Sequence, residues 1–255
     1  MLSQLAIKLI SGVIVLVCTL FGYALAYTTK KTKKSTLSIC NLFSGVTFLA
    51  VCLLHLTPEL EHHARDITEY PFEFIIVIVT FLAFWFPHHS HDYSILDDPV
   101  QCHQSIIPLV LGLSVHSIVA GISLGMTESA TFSLAIALAV HKFTESAAFA
   151  ISLFNSKQKS AKYALWIFPI FTPIGIGIGI LLQHVMPENI YTWVFVVTQA
   201  VSVGCFLFVS IIEIMLPEMG ATDKKPLRLF VSLLAVAIVA LLTLIPHEHN
   251  HSHEH

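Results

Sequence analysis

The sequence predicts an all-α membrane protein of eight transmembrane helices, and three observations carry that expectation. Of the 255 residues 55% are hydrophobic and only 11% charged, far more apolar than a soluble domain of this size. Eight stretches approach the roughly 20 apolar residues needed to cross the hydrocarbon core: about 5–28, 37–59, 71–87, 105–126, 129–154, 163–186, 189–217 and 227–246. Basic residues gather in the loops after the first stretch (Lys30, Lys31, Lys33, Lys34), the fifth (Lys157, Lys159, Lys162) and the seventh (Lys224, Lys225, Arg228). With eight crossings all three loops fall on one side, which the positive-inside rule makes cytoplasmic, and both termini lie outside the cytosol.

The first run, Leu9 to Tyr27, is longer than the roughly 7–15 residues of a signal-peptide core. Thr28, Thr29 and Lys30 follow it instead of a small-residue cleavage site, so it stays as a membrane helix. The second closes in HLTPELEHH, which gathers His55, Glu59, Glu61, His62 and His63 near an outer mouth. The third is the shortest and carries Glu73; without it the basic loops would scatter over both faces. A polar cytoplasmic segment follows at 88–104, HHSHDYSILDDPVQCHQ. Its His88, His89, His91, Asp97, Asp98, Cys102 and His103 suit a divalent metal, and a solvated linker with incidental histidines explains them equally well.

The fourth and fifth stretches carry the chemistry. The fourth contains HSIVAGISLGM, with His116 and Ser117 near its centre, and the fifth contains HKFTESAAFA, with His141, Lys142 and Glu145. Ionisable groups at that depth are costly to bury and mark an ion or proton path. His141 and Glu145, four residues apart, share one helix face. Imidazole and carboxylate are the ligands that Zn²⁺ takes when no thiolate is offered, and Fe²⁺ and Mn²⁺ accept the same set less selectively. His116, His141 and Glu145 therefore read as a metal site between two membrane helices. Each histidine alone could be a satisfied core residue, but three such groups at one depth outweigh that reading. Lys142 places a fixed cation beside the site, which disfavours a second metal ion.

In the sixth stretch Pro169 and Pro173 precede Gly175, Gly177 and Gly179. Gly175 and Gly179 form a GxxxG pair, which predicts a kinked, closely packed helix. The seventh ends in EIMLPEM, with Glu213 a turn inside the membrane and Glu218 at its cytoplasmic boundary. Acidic and imidazole groups at opposite ends of the bundle, His55 and Glu59 at one and Glu213 and Glu218 at the other, suit the two ends of a cation path. The chain closes in HEHNHSHEH, 247–255. His247, Glu248 and His251 match HExxH, but that motif works on a helix within a closed pocket, and here it follows Pro246 in a polar tail. A loose metal-gathering tail and a tail without function both remain open. Cys18, Cys40, Cys52, Cys102 and Cys205 include no CxxC pair and define no thiolate site. No basic block interleaved with aromatics points to nucleic acid.

The paired motifs HSxxxGxxLG and HKxxE, in this order and topology, resemble those of the ZIP (Zrt/Irt-like) family of divalent-metal transporters. HxxPE in the second span, TPxGIxxG in the sixth and LPEM in the seventh agree, so the resemblance covers nearly the whole chain. It implies transport of Zn²⁺, with Fe²⁺, Mn²⁺ or Cd²⁺ as further substrates, into the cytosol through an elevator-like cycle, with zinc as substrate and no cofactor. His116, His141 and Glu145 fall on the positions that hold the primary ion. Ser117 and Lys142 fall where relatives with two ions carry ligands for the second, so the chain looks like the mononuclear, HK-bearing branch. Relatives often carry glutamate four residues after the first histidine and proline three after each; here stand Ala120, Val119 and Thr144. A water or His55 could take the place of the missing carboxylate. The expected setting is a plasma membrane or bacterial inner membrane, with the bilayer and a second copy in a homodimer as partners. An intramembrane zinc-dependent hydrolase is the competing function, but using Glu145 as its base would leave only two histidines for the metal.

Overall fold

The computed structural model describes residues 4–29, 34–92, 106–126, 132–155, 160–182, 185, 187–219 and 224–243. Among these residues there are only helices and short connections. They are α1 (Gln4–Thr29), α2 (Lys34–Val51), a π-helical turn (Cys52–Leu56), α3 (Thr57–Arg65), α4 (Phe72–Asp92), α5 (Ile106–Met126), α6 (Phe132–Asn155) and α7 (Ser160–Leu182). α8 (Glu188–Phe208), a second π turn (Val209–Met215), α9 (Leu216–Met219) and α10 (Lys225–Thr243) complete them. Because α2 continues into α3 and α8 into α9, the described residues form eight helical rods. Six stretches among the described residues are long and apolar enough to cross a bilayer: Gln4–Thr28, Ser35–Arg65, Leu109–Met126, Tyr163–Leu182, Asn189–Glu218 and Lys225–Thr243. Phe72–Phe86 is a shorter apolar helix.

The distribution of side chains is that of a protein solvated by lipid. Trp166 and Leu181 are 80% and 75% exposed, while Lys8, Lys142, Glu145, Gln199 and Arg228 are buried. In hydrocarbon every backbone group must bond within its own helix, and polar side chains survive only where other helices cover them. The core runs between the rods through Phe48, Leu113, Phe149, Phe168, Phe206 and Phe208.

Two of the closest helix contacts are built on glycine. On α5, a Cβ at Gly121 would lie 2.4 Å from Thr172 O and 2.9 Å from Gly175 Cα of α7, and one at Gly125 2.4 Å from Ile176 O and 2.8 Å from Gly179 Cα. The GxxxG pair of the sixth stretch is thus met by a second GxxxG pair on α5, backbone against backbone. On α1, Gly22 lies the same way against Phe143 O and Ala147 N of α6. Pro169 and Pro173 both sit inside α7, which remains one helix.

Each π turn ends two residues before the proline of a Pro-Glu pair, Pro58-Glu59 and Pro217-Glu218. Thr57 N–H bonds to Cys52 O and Leu216 N–H to Ile211 O, each spanning one residue more than an α-helical bond. A proline ring crowds the carbonyl four residues earlier. Widening the turn by one residue relieves that clash while keeping the carbonyls bonded. The turns also set the facing of His55 and Glu213, which lie within them.

At one end of the bundle a polar knot ties α2, α9 and α10. Arg228 Nη2 donates to Ser38 Oγ at 2.7 Å, Ser38 donates to Glu218, and Asn41 Nδ2 donates to Glu218 Oε1 at 3.1 Å. Arg228 Nη1 stands 3.7 Å from Glu218 Oε2, with both side chains largely covered. Removing one partner of a covered pair strands the other charge, so Arg228→Ala should lower the unfolding free energy by about 3 kcal/mol. Chemical unfolding in detergent checks this, with Arg228→Lys recovering only part because it lacks the forked geometry.

Candidate metal centre

α5 and α6 bring three of the five polar groups from the centres of their sequences, Ser117, Lys142 and Glu145, into contact with one another. Glu145 and Lys142 sit three residues apart on one face of α6, fully buried, with Lys142 Nζ 2.7 Å from Glu145 Oε2. The same ammonium donates to Ser117 Oγ of α5 at 2.7 Å and lies 4.9 Å from the centre of the Phe168 ring of α7. Ser117 spends its hydroxyl proton on Leu113 O at 2.6 Å, so toward Lys142 it offers a lone pair. The ammonium is therefore held by one carboxylate, one hydroxyl and one aromatic face.

His116 is buried on α5, one residue before Ser117. Its ring packs edge-on to Phe206 of α8, centroids 5.9 Å apart. It lies against Gln199, with Lys142 and His55 as its charged neighbours. α6 carries His141 one turn before Glu145; its side chain lies outside the described residues. Among the described residues no three His, Cys, Asp or Glu side chains already converge as a metal shell.

The outlying positions fall into three groups. His55 sits in the first π turn near His116, and Glu59 accepts a hydrogen bond from Gln199 Nε2 at 3.1 Å. Glu213 is buried in the second π turn, and Glu218 belongs to the Arg228 knot. α4 continues to Asp92, so His88, His89 and His91 sit on the end of a helix where the sequence suggests a polar segment from 88. Their side chains, His103 and the tail 247–255 lie outside the described residues. Ala120, where relatives often carry glutamate, is half-buried on α5.

Two features escape a reading based on ionisable groups. Gln199 is a buried amide in the middle of α8, signalled only as the lone amide in VFVVTQAVSVG. Tyr191 and Ser123 share a 2.7 Å hydrogen bond that ties the start of α8 to the end of α5.

A bundle of long apolar helices with carboxylate, ammonium and imidazole buried at its centre defines an integral, multi-pass membrane protein with a polar interior site. The profile of the ZIP Zinc transporter family matches residues 87–245, and the chain belongs to that family. Zinc transporter ZIP3 of Bos taurus is 24% identical over 276 residues, covering 83% of this chain and 87% of that protein. Zinc transporter ZIP1 of Danio rerio is 25% identical over 258 residues, covering 82% and 85%. Zinc transporter 9 of Oryza sativa subsp. japonica is 31% identical over 144 residues, covering 53% and 40%.

Proposed function

We propose that this chain carries Zn²⁺ into the cytosol through eight membrane crossings, holding one ion at His116, His141 and Glu145 with Lys142 in the place of a second. Family membership makes the protein a transporter and not an enzyme, with zinc as its substrate. The observation that carries the site assignment is the buried set of Glu145, Lys142 and Ser117 beside His116. Such a cluster is costly in hydrocarbon unless it serves an ion path. An incomplete protein shell suits transport, since the ion must be stripped of water yet released again.

The orientation rests on the basic loops. The polar knot of Ser38, Glu218 and Arg228 joins the start of α2 to the start of α10, and this end, at which two of the basic stretches of the sequence enter their helices, is assigned to the cytosol. An elevator-type cycle is supported by the glycine seams, which join α5 to α7 and α1 to α6 far more closely than side-chain packing allows. His88, His89, His91 and His103 and the histidine-rich tail are assigned an ion-gathering role at the two faces.

The test is uptake of radioactive Zn²⁺ into oriented vesicles, with Fe²⁺, Mn²⁺ and Cd²⁺ as competitors. Accumulation on the side of the 30–34 loop is the expected result, and accumulation on the other side would overturn the direction. Deleting 247–255 should raise the apparent KM and leave the maximal rate unchanged, because the tail gathers ions without completing the central shell.

A further inference from the structure

We propose that the Tyr191–Ser123 hydrogen bond is the outer gate of the ion path, a latch between α8 and α5 that must part before Zn²⁺ can descend to His116. The proposal rests on the reading of His116 as an ion ligand and of the α3 end as the side from which zinc enters.

Three contacts set α5 and α8 side by side, running in opposite directions. Tyr191 Oη and Ser123 Oγ lie 2.7 Å apart at one end. Gln199 lies against His116 in the middle, and a Cβ on Gly112 would stand 2.6 Å from Cys205 Cβ at the other end. His116 is seven residues before Ser123 and Gln199 eight after Tyr191, so the hydroxyl pair sits about 10–12 Å above the imidazole at 1.5 Å per residue. His116, Ala120 and Ser123 are spaced i, i+4, i+7 and share one face of α5. That face leads from the hydroxyl pair down to the imidazole.

The two ends of this contact differ in kind. At Gly112 the helices are so close that one added carbon has no room. At Ser123 the junction consists of two side chains, each able to change rotamer. α5 cannot give way on its opposite side, because Gly121 and Gly125, before and after Ser123, hold it against the α7 backbone. Opening at this level therefore falls to Tyr191. Its ring stands 6.0 Å from that of Phe195, one turn along α8, and Phe195 packs against His63 of α3 at 4.3 Å. Glu59 is a charged neighbour of the Tyr191 hydroxyl. The latch thus stands where α3, α5 and α8 meet, beside a carboxylate that attracts an entering cation. A bond between two hydroxyls suits such a gate, because its net worth is small once each oxygen can bond water instead.

Ala120→Cys supplies a reporter one turn below the latch. A membrane-impermeant thiol reagent is applied to oriented vesicles at the face where α3 ends, with the protein lacking this substitution as the background. Tyr191→Phe and Ser123→Ala should each speed the labelling about two- to tenfold, the net worth of one hydrogen bond expressed as an equilibrium factor. The two together should do no more than either, since both remove the same bond. Without the reporter, each variant should lower the apparent KM for zinc at that face by the same factor, because a larger fraction of molecules is open to it. A tie that merely steadies the fold would move neither quantity in this direction. Parental labelling, or a KM that does not fall, overturns the gate. Glu145→Ala measured in parallel separates the two assignments. If it transports normally, the central site is misplaced and the gate falls with it, whereas its inactivity beside latch variants of parental labelling sinks the gate alone.

Discussion

Glu145→Ala is expected to reduce zinc uptake by about tenfold or more, since it removes one of the three protein ligands proposed for the ion. The substitution has a second consequence. It leaves the Lys142 ammonium buried with Ser117 and the Phe168 ring but without its carboxylate, 2.7 Å away in the parent. Breaking a buried pair from one side costs about 3–5 kcal/mol, enough to mistake unfolding for lost binding. The decisive variant is therefore the double change Glu145→Gln with Lys142→Met, which removes both charges and keeps the volume. It should migrate as a folded protein in detergent, melt near the parent and still fail to accumulate zinc. Uptake at the parental rate by this folded double variant would show that Glu145 is no ligand.

The second large effect is at the glycine seam. Gly121→Leu introduces a branched side chain where even a single carbon would sit 2.4 Å from a backbone oxygen. Backbone cannot swing aside as a side chain does, so α5 and α7 must part, with a loss of about 3 kcal/mol or more, the upper range for overpacking. The expected result is aggregated or rapidly proteolysed protein, read by size-exclusion chromatography in detergent. Gly177→Ala is the internal control. A Cβ there meets nothing within 4 Å, and alanine is the better helix former by about 1 kcal/mol. Equal behaviour of the two variants would contradict the seam.

The sequence makes the apolar rods and their central polar residues legible because lipid demands long hydrophobic runs and penalises every charge within them. It is less informative where a second helix decides the outcome. Gly175 and Gly179 stand out as a close-packing pair, but nothing local says that Gly121 and Gly125, some fifty residues earlier, are what they meet. The α4 boundary shows another limit. Hydropathy reports where the apolar run ends, whereas a helix can run on past it, as α4 does through Pro87 and His91 to Asp92. Pro58 and Pro217 each follow a widened turn, which keeps carbonyls bonded that a break would strand. Gln199 carries no charge, so nothing in its chemistry as a lone amide marks it out in an apolar run. Of the central group, Ser117, Lys142 and Glu145 meet, whereas the His116 ring packs against Phe206 of α8.

The seam between α5 and α7 leaves no slack. Where two main chains touch across a full turn, neither rod can tilt or slip alone, and they behave as one lever. Ser117 rides on the first rod and Phe168 on the second, with the Lys142 ammonium gripped between them. Bending of the outer rods by a thinner or thicker bilayer therefore leaves this cradle undistorted.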